Sequence, residues 1–181
     1  EITPILNQTN DLFTRELNKK ICERAPKLSD TVTHANSAIA ADAAGFVVLV
    51  SEFFLKNKMC KGIEVLGSGT SGIIPEETPL APVGAIQAVL NQTEISLSKV
   101  AFIELMEAYA AQAIICARLC NLDLDKINIR GGALSRGHPI GASGAILVVR
   151  LFNELIKKPE TFGMAAIAAA GGIGSAMMLK S

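Results

Sequence analysis

The hydrophobic and polar positions of this chain fall into two periods. In TNDLFTRELNKKICER (9–24), apolar side chains recur at helical spacing among charges, which predicts a helix with Thr9 or Asn10 as its N-cap. GFVVLV (45–50) is a short β-branched run that predicts a buried strand, and SEFFLKNK after it a brief helix. KGIEVLGSGTSG (61–72) reads as a strand running into a glycine-rich turn. Pro75, Pro79 and Pro82 then mark a loop before a helix over VGAIQAVLNQT (83–93). Ser96 to Lys99 break the pattern. VAFIEL (100–105) predicts another buried strand, and EAYAAQAIICARLC (107–120) a helix. A glycine-rich segment leads into GAILVVRLFNELIKK (144–158), whose nearly continuous apolar run predicts the central, buried helix. FGMAAIAAAGG and GSAMMLK predict two closing strands joined at Gly172 to Gly174. Strands alternating with helices indicate a layered α/β fold. There is no internal repeat and no low-complexity linker.

Composition narrows the classes. The 181 residues carry a formal net charge of zero, so nothing points to nucleic acid or to an acidic membrane surface. Half the residues are hydrophobic, yet there are only seven Phe, one Tyr and no Trp; alanine and glycine fill the gap, which predicts a core of closely packed backbones. The longest clean apolar runs, FVVLV and AILVV, fall far short of the ~18 residues that cross a bilayer, so no membrane span is expected. Cys22, Cys60, Cys116 and Cys120 show neither metal spacing nor a secreted disulfide framework. They read as reduced thiols of an intracellular chain, cytoplasmic by expectation with mitochondrion or peroxisome open, and without a metal site. The chain begins Glu1-Ile2-Thr3 and its first methionine is Met59, which reads as a cleaved or trimmed product, or as leading residues left out. The lack of a targeting peptide therefore carries no weight.

The segment GGALSRGHPIGASG (131–144) holds five of the fifteen glycines and one of the two histidines. Pro139 biases His138 towards an extended conformation, Gly141 allows a sharp turn, and Ser143 is placed to cap the helix that follows. His138 thus precedes a helix N-terminus, where free N–H groups and the helix dipole disfavour imidazolium. A neutral imidazole there can donate to a developing oxyanion. The alternative is a turn histidine beside a packing contact. GSGTSG (67–72) and GGIGSA (171–176) invite a phosphate-cradle reading, but neither holds the Lys-Ser or Lys-Thr of a P-loop nor a complete G-x-G-x-x-G.

INIRGGALSRGHPIGASGAILVVRLFNEL resembles the thiolase signature N-x-G-G-A-x-x-x-G-H-P-x-G-x-S-G of acetyl-CoA acetyltransferases and 3-ketoacyl-CoA thiolases. THANSAIAADAAG (33–45), FIELMEAYAAQA (102–113) and GMAAIAAAGGIGSAMM (163–178) resemble further landmarks of that family, in the same order. The resemblance runs from about residue 30 to the end. It implies the tail of a thiolase N-terminal domain over residues 1–52 and the C-terminal domain over 53–181. The fold it implies is a layered α/β/α arrangement with a mixed five-stranded sheet.

The resemblance also implies chemistry. One cysteine takes up an acyl group and a second deprotonates the α-carbon of an acyl-CoA. A histidine activates the nucleophile and binds the thioester oxygen, an asparagine holds a water there, and a backbone N–H of the last glycine loop binds the other oxyanion. His138 matches the histidine, flanked by matching Gly137, Pro139, Gly141 and Gly144. Ala170 matches the glycine whose N–H binds an oxyanion, a role that a backbone donor keeps, and Glu107 matches the acidic residue of the N-E-A-F segment. Gly137, Pro139, Gly141 and Gly171 are expected along the substrate. Three positions depart from the family: Met106 stands for the asparagine, Ala168 for the second cysteine, and Ala38 for the serine near the pantetheine arm. The nucleophile itself belongs to the N-terminal half. Losing a positioned acid–base group typically costs about 10²–10⁴-fold, so condensation looks closed to this polypeptide alone, and cleavage starting from the other half's nucleophile more open.

Other candidates read more simply. Cys116 and Cys120 share one helix face and are expected in the core. Cys22 and Cys60 lie beside lysines and read as surface thiols. His34 reads as a loop residue. Arg130 and Arg136 can reach a coenzyme A phosphate or a partner carboxylate, against the simpler reading of a solvated rim, and KNKMCK (56–61) reads as a solvated connection. Two readings stand foremost. One is the C-terminal part of a thiolase-like acyl-CoA acyltransferase whose N-terminal half, on the same precursor or a separate chain, supplies the cysteine. The other is a catalytically inactive thiolase-like subunit that binds acyl-CoA or stabilises a partner. Both take coenzyme A or acyl-CoA as substrate rather than as a covalently bound cofactor, and both expect a homo- or hetero-oligomer. A phosphate- or nucleotide-binding module, resting on the glycine turns alone, is the third.

Overall fold

In the computed structural model, residues 2–11, 13–58 and 60–181 are described. Among the described residues, six α-helices, α1 (Lys19–Arg24), α2 (Glu52–Lys58), α3 (Ala81–Thr93), α4 (Ala110–Leu119), α5 (Ala133–Arg136) and α6 (Ser143–Leu155), are interspersed with six strands. The strands are β1 (Lys27–Ser29), β2 (Val32–Thr33), β3 (Glu64–Gly72), β4 (Val100–Leu105), β5 (Phe162–Ala169) and β6 (Ile173–Lys180). β1 and β2 form a small hairpin. The main sheet has the order β3-β6-β5-β4. β3 pairs antiparallel with β6, β6 antiparallel with β5, and β5 parallel with β4.

Side-chain alternation along these strands builds two cores. Ile103, Leu105, Met164, Ala166, Ala176 and Met178 face Ile86 and Val89 of α3 and Cys116 and Ala117 of α4. Phe102, Ala165 and Leu179 face the other way, onto Leu147, Leu151 and Leu155 of α6, which recur every fourth residue along one stripe. The result is the α/β/α layering expected. No residue of α6 is exposed, as its apolar run predicts.

Several expectations change. GSGTSG is the second half of β3 rather than a turn, and the glycines serve packing: a Cβ at Gly69 would sit 2.8 Å from the backbone nitrogen of Val89, so α3 lies directly on the strand. The sheet has four strands rather than five. At the fifth position only Ile127 makes a one-residue parallel bridge, to Ile103. The next residue, Asn128, turns to φ +48° and ends the pairing. Its side chain takes over, accepting from the Leu105 N–H at 2.9 Å and donating to the Leu105 carbonyl at 2.8 Å.

The run 45–50 forms no strand. Phe46, Val48 and Leu49 are 85%, 84% and 78% exposed, because no strand among the described residues lies alongside to pair with the run. The helix expected over 9–24 shrinks to α1, capped by Asn18, whose Oδ1 accepts from Ile21 N–H at 3.0 Å; Thr9 and Asn10 cap nothing, and Leu12 lies outside the described residues. Arg15 draws the preceding stretch out of helical form. Its guanidinium donates to the carbonyls of Leu134, His34 and Ser37 at 2.7, 2.6 and 3.0 Å, and its backbone N–H to that of Ser135. The helix expected from 107 starts at Ala110, whose N–H donates to Asn36. The last two strands are joined at Ala170 to Gly172, earlier than expected.

Candidate functional site

Parallel β4 and β5 end side by side, and the Met106 N–H donates to the Ala166 carbonyl at 2.9 Å just beyond β4. α6 runs into β5 through a short connection, so its N-terminus returns to the same sheet edge. Carboxyl ends of parallel strands are where open α/β sheets place their ligands. At this edge Glu107, just after β4, meets the glycine segment before α6, and β5 runs on past its pairing with β4 through Ala168 and Ala169.

His138 is fixed at both its backbone and its ring. Its N–H donates to the Ile39 carbonyl at 2.7 Å, within a one-residue parallel bridge to Ala40, so the extended geometry expected before Pro139 is present. Its Nδ1 lies 2.7 Å from Oγ of Ser143. Burial pushes the imidazole pKa below its ordinary value, which favours the neutral ring. Ser143 does not cap α6 as expected. It is the first helical residue, after the turn Ile140–Ala142, and its hydroxyl is taken up by the imidazole instead.

The glycine segment is held from beneath. The Glu107 carboxylate accepts from the Asn128 amide at 2.6 Å and from the Leu134 N–H at 3.1 Å. It lies against the α-carbon of Gly132 so closely that a Cβ there would overlap both carboxylate oxygens. Arg150 of α6 donates to the Gly131 carbonyl at 2.7 Å and pairs with Glu104 of β4 at 2.8 Å. Beneath the loop, Glu107 and Arg150 hold it directly, with Asn128 and Glu104 behind them; all but Glu107 are buried, and Arg15 holds the Leu134 and Ser135 carbonyls besides.

The expected positions are distributed as follows. Met106 is 5% exposed and packs with Phe102, Leu147 and Leu151, so its side chain belongs to the core under α6. Ala168 is half-buried on β5 opposite Gly174. Ala170 and Gly171 are exposed in the hairpin turn, with Gly171 at φ +92°. Gly137 is buried, Pro139 and Gly144 half-buried and Gly141 exposed. Ala38 is half-buried and donates its N–H to the Ala108 carbonyl at 2.9 Å, which ties the 34–40 loop to the stretch after β4.

Cys116 and Cys120 are buried, as expected; Cys116 donates to the Pro79 carbonyl at 3.2 Å. Burial raises both thiols, and with the neighbouring Cys116 it pushes Cys120 up to about 11, which disfavours the thiolate in both. Cys22 and Cys60 are exposed, and His34 is an exposed loop residue. Arg130 pairs with Glu154 of its own chain at 2.5 Å, and Arg136 donates to the Arg130 carbonyl. In KNKMCK, Lys56 pairs with Glu52 within α2, and Met59 lies outside the described residues. GGIGSA spans the end of the hairpin turn and the start of β6. Among the described residues no three His, Cys, Asp or Glu gather as a metal would need, and no helix is long and apolar enough to cross a membrane.

Glu104, Asn128, Arg150 and Arg15 were not singled out by the sequence as site residues. A lone arginine inside AILVVRLF and a lone glutamate inside VAFIEL were the available signal for a buried ion pair.

Comparison with known proteins is consistent with this geometry. The family model described as Thiolase, C-terminal domain, matches residues 61–181. A Bacillus subtilis protein that carries the name of an acetyl-CoA C-acetyltransferase, YhfS, is 40% identical over 154 residues, 84% of this chain and 42% of its own length. Crystal structures of human mitochondrial 3-ketoacyl-CoA thiolase in complex with CoA and of an Ascaris suum thiolase in complex with coenzyme A superpose with TM-scores of 0.86 and 0.80. Their identities are 28% and 30%; the matches cover 97% and 91% of this chain, and 46% and 44% of those chains. The chain spans about two fifths of the length of the curated relatives it matches.

Proposed function

The chain belongs to the thiolase family, whose C-terminal domain model it matches over residues 61–181, and from that premise we propose that it forms the His138-bearing half of a site for acyl exchange between a thioester and coenzyme A. The observation that carries the reading is the seating of His138. A neutral imidazole, pinned at its backbone to Ile39 and at Nδ1 to Ser143, stands at the sheet edge where β4, β5 and the N-terminus of α6 converge.

Acyl exchange asks little of this half. A thiolate supplied by an N-terminal half attacks the thioester carbonyl, the carbonyl oxygen takes up the charge, and the CoA thiolate leaves. A second thiol then reverses the steps and carries the acyl group away. His138 donates to the oxygen and the backbone N–H of Ala170 serves the acyl-enzyme oxyanion. Neither role needs a side chain at position 106 or 168. Claisen condensation does need an α-carbon base, and Ala168 offers none. By microscopic reversibility the same gap slows protonation of the carbanion in 3-ketoacyl-CoA cleavage. Exchange is therefore the step this site supports best. Residues 1–52 would be the end of the N-terminal domain and 53–181 the C-terminal domain. Gly137, Pro139, Gly141 and Gly171 would border the acyl-CoA.

A second reading has its own support. Met106 fills the core under α6, and Ala38 offers no hydroxyl, so a subunit that binds acyl-CoA or steadies an active partner without catalysis fits those two positions. Native and then denaturing mass spectrometry of the protein from its source separates the requirements. A cysteine-bearing thiolase N-terminal half, on the same polypeptide or on a second one in an oligomer, supports exchange. A particle without one leaves binding as the function.

A further inference from the structure

The contact between Ser143 and His138 has a direction. Ser143 is 3% exposed, and its Oγ lies 2.7 Å from Nδ1 of His138. A hydroxyl carries one hydrogen to place and two lone pairs to offer. The carbonyls one turn back are already in use: that of Pro139 accepts from the N–H groups of Ala142 and Ser143, and that of Ile140 accepts from the Ser143 N–H. Nδ1 is the one hydrogen-bond partner of this hydroxyl among the described residues. If Nδ1 carried the hydrogen and donated to Oγ, the serine proton would be buried with no acceptor, an arrangement native interiors avoid.

We infer that Ser143 is a positioning residue that donates to Nδ1 and thereby holds His138 as the Nε2–H tautomer. Nε2 is then a hydrogen-bond donor in the resting protein. It is suited to a thioester oxygen and unable to take a thiol proton until the ring proton shifts. A serine at the first turn of α6 thus decides which of two histidine roles is ready before substrate arrives. Its functional meaning rests on the acyl-exchange reading above; the tautomer itself does not.

The test is two-bond ¹H–¹⁵N correlation spectroscopy of the full chain, ¹⁵N-labelled at histidine, in the assembly in which it purifies and at a pH where the imidazoles are neutral. There are two histidines, and His34→Gln assigns the pair. The expected spectrum shows Nδ1 of His138 in the unprotonated range and Nε2 in the protonated range. Ser143→Thr keeps this pattern, and Ser143→Ala moves both nitrogens towards the averaged values of exposed His34. A protonated Nδ1 in the wild-type chain overturns the inference whether or not any variant folds, and so does an unchanged spectrum for Ser143→Ala. An Nε2–H tautomer in an assembly that exchanges no acyl groups would leave the inference standing and remove the acyl-exchange reading instead.

Discussion

Arg150 and Glu104 form an ion pair at 2.8 Å in which both side chains are buried, at 6% and 4% exposure. The pair crosses from α6 to β4 beneath the glycine segment, and the same guanidinium donates to the Gly131 carbonyl. Taking two charges out of water is repaid only when geometry and the remaining hydrogen bonds are good, and removing one partner strands the other. Arg150→Met is expected to cost about 3–5 kcal/mol, read as a drop in the denaturation midpoint. Replacing both partners, Arg150→Met with Glu104→Leu, should recover a large part of it. A double variant as unstable as the single would mean that the bond to Gly131, rather than the ion pair, dominates.

Glu107 and Gly132 form a size-matched pair. Gly132→Ala drives a methyl into the carboxylate, while Glu107→Ala leaves the Asn128 amide and the Leu134 N–H short of an acceptor. The loss in Glu107→Ala is about 1–3 kcal/mol, the usual cost of stranded polar groups. Gly132→Ala should be markedly cheaper in the Glu107→Ala background than in the wild type. Strict additivity in this double-mutant cycle would show that the two do not meet.

Thiol chemistry separates the four cysteines. Cys22 and Cys60 are exposed, whereas Cys116 and Cys120 are buried with their pKa values raised. A neutral aromatic disulfide reagent at about pH 8 should titrate two thiols in the folded chain and four after unfolding. Rapid labelling of Cys116 in the folded state would contradict the core packing around α4.

The pH dependence follows from His138. Burial lowers its folded pKa below the unfolded value of 6.5, so the unfolded chain binds the extra proton in the window just under that value. The folded state is then favoured above about 6.5 and loses this contribution as the pH falls through the folded pKa. Unfolding midpoints from pH 8 to pH 5 should fall less steeply for His138→Gln than for the wild type. Equal slopes would place the imidazole in water.

How much of this was legible in advance depended on how local each cause is. β4, α3, α6 and the closing hairpin carry their own periodicity, and the burial of Cys116 and Cys120 follows from an apolar helix face. His138 stood out through Pro139 and the glycines around it. What misled was non-local. The run 45–50 has the composition of a core strand and no neighbour to pair with. Gly67 and Gly69 look like a turn, but they let a helix lie on a strand. Asn128 ends a fifth strand and replaces its hydrogen bonds with a side-chain amide. Arg15 reaches three carbonyls far along the chain, and no spacing rule registers that.

The departures from the family proposed at positions 106 and 168 give a gain-of-function prediction. In an assembly completed by a thiolase N-terminal half, Ala168→Cys with Met106→Asn should raise condensation, since on that proposal an α-carbon base and a water-holding amide return together. Met106→Asn will also destabilise, because it puts an amide among Phe102, Leu147 and Leu151. Stable double variants without any gain in condensation would remove the assignment of those two positions.

The central claim, that His138 serves acyl exchange at this sheet edge, is tested most directly by following isotope-labelled coenzyme A into an unlabelled acyl-CoA pool with the purified assembly. Label transfer should be measurable with the wild-type chain and fall about 10²–10³-fold with His138→Ala, the range for losing one donor to a developing oxyanion. Transfer that proceeds equally well without the imidazole would contradict the account.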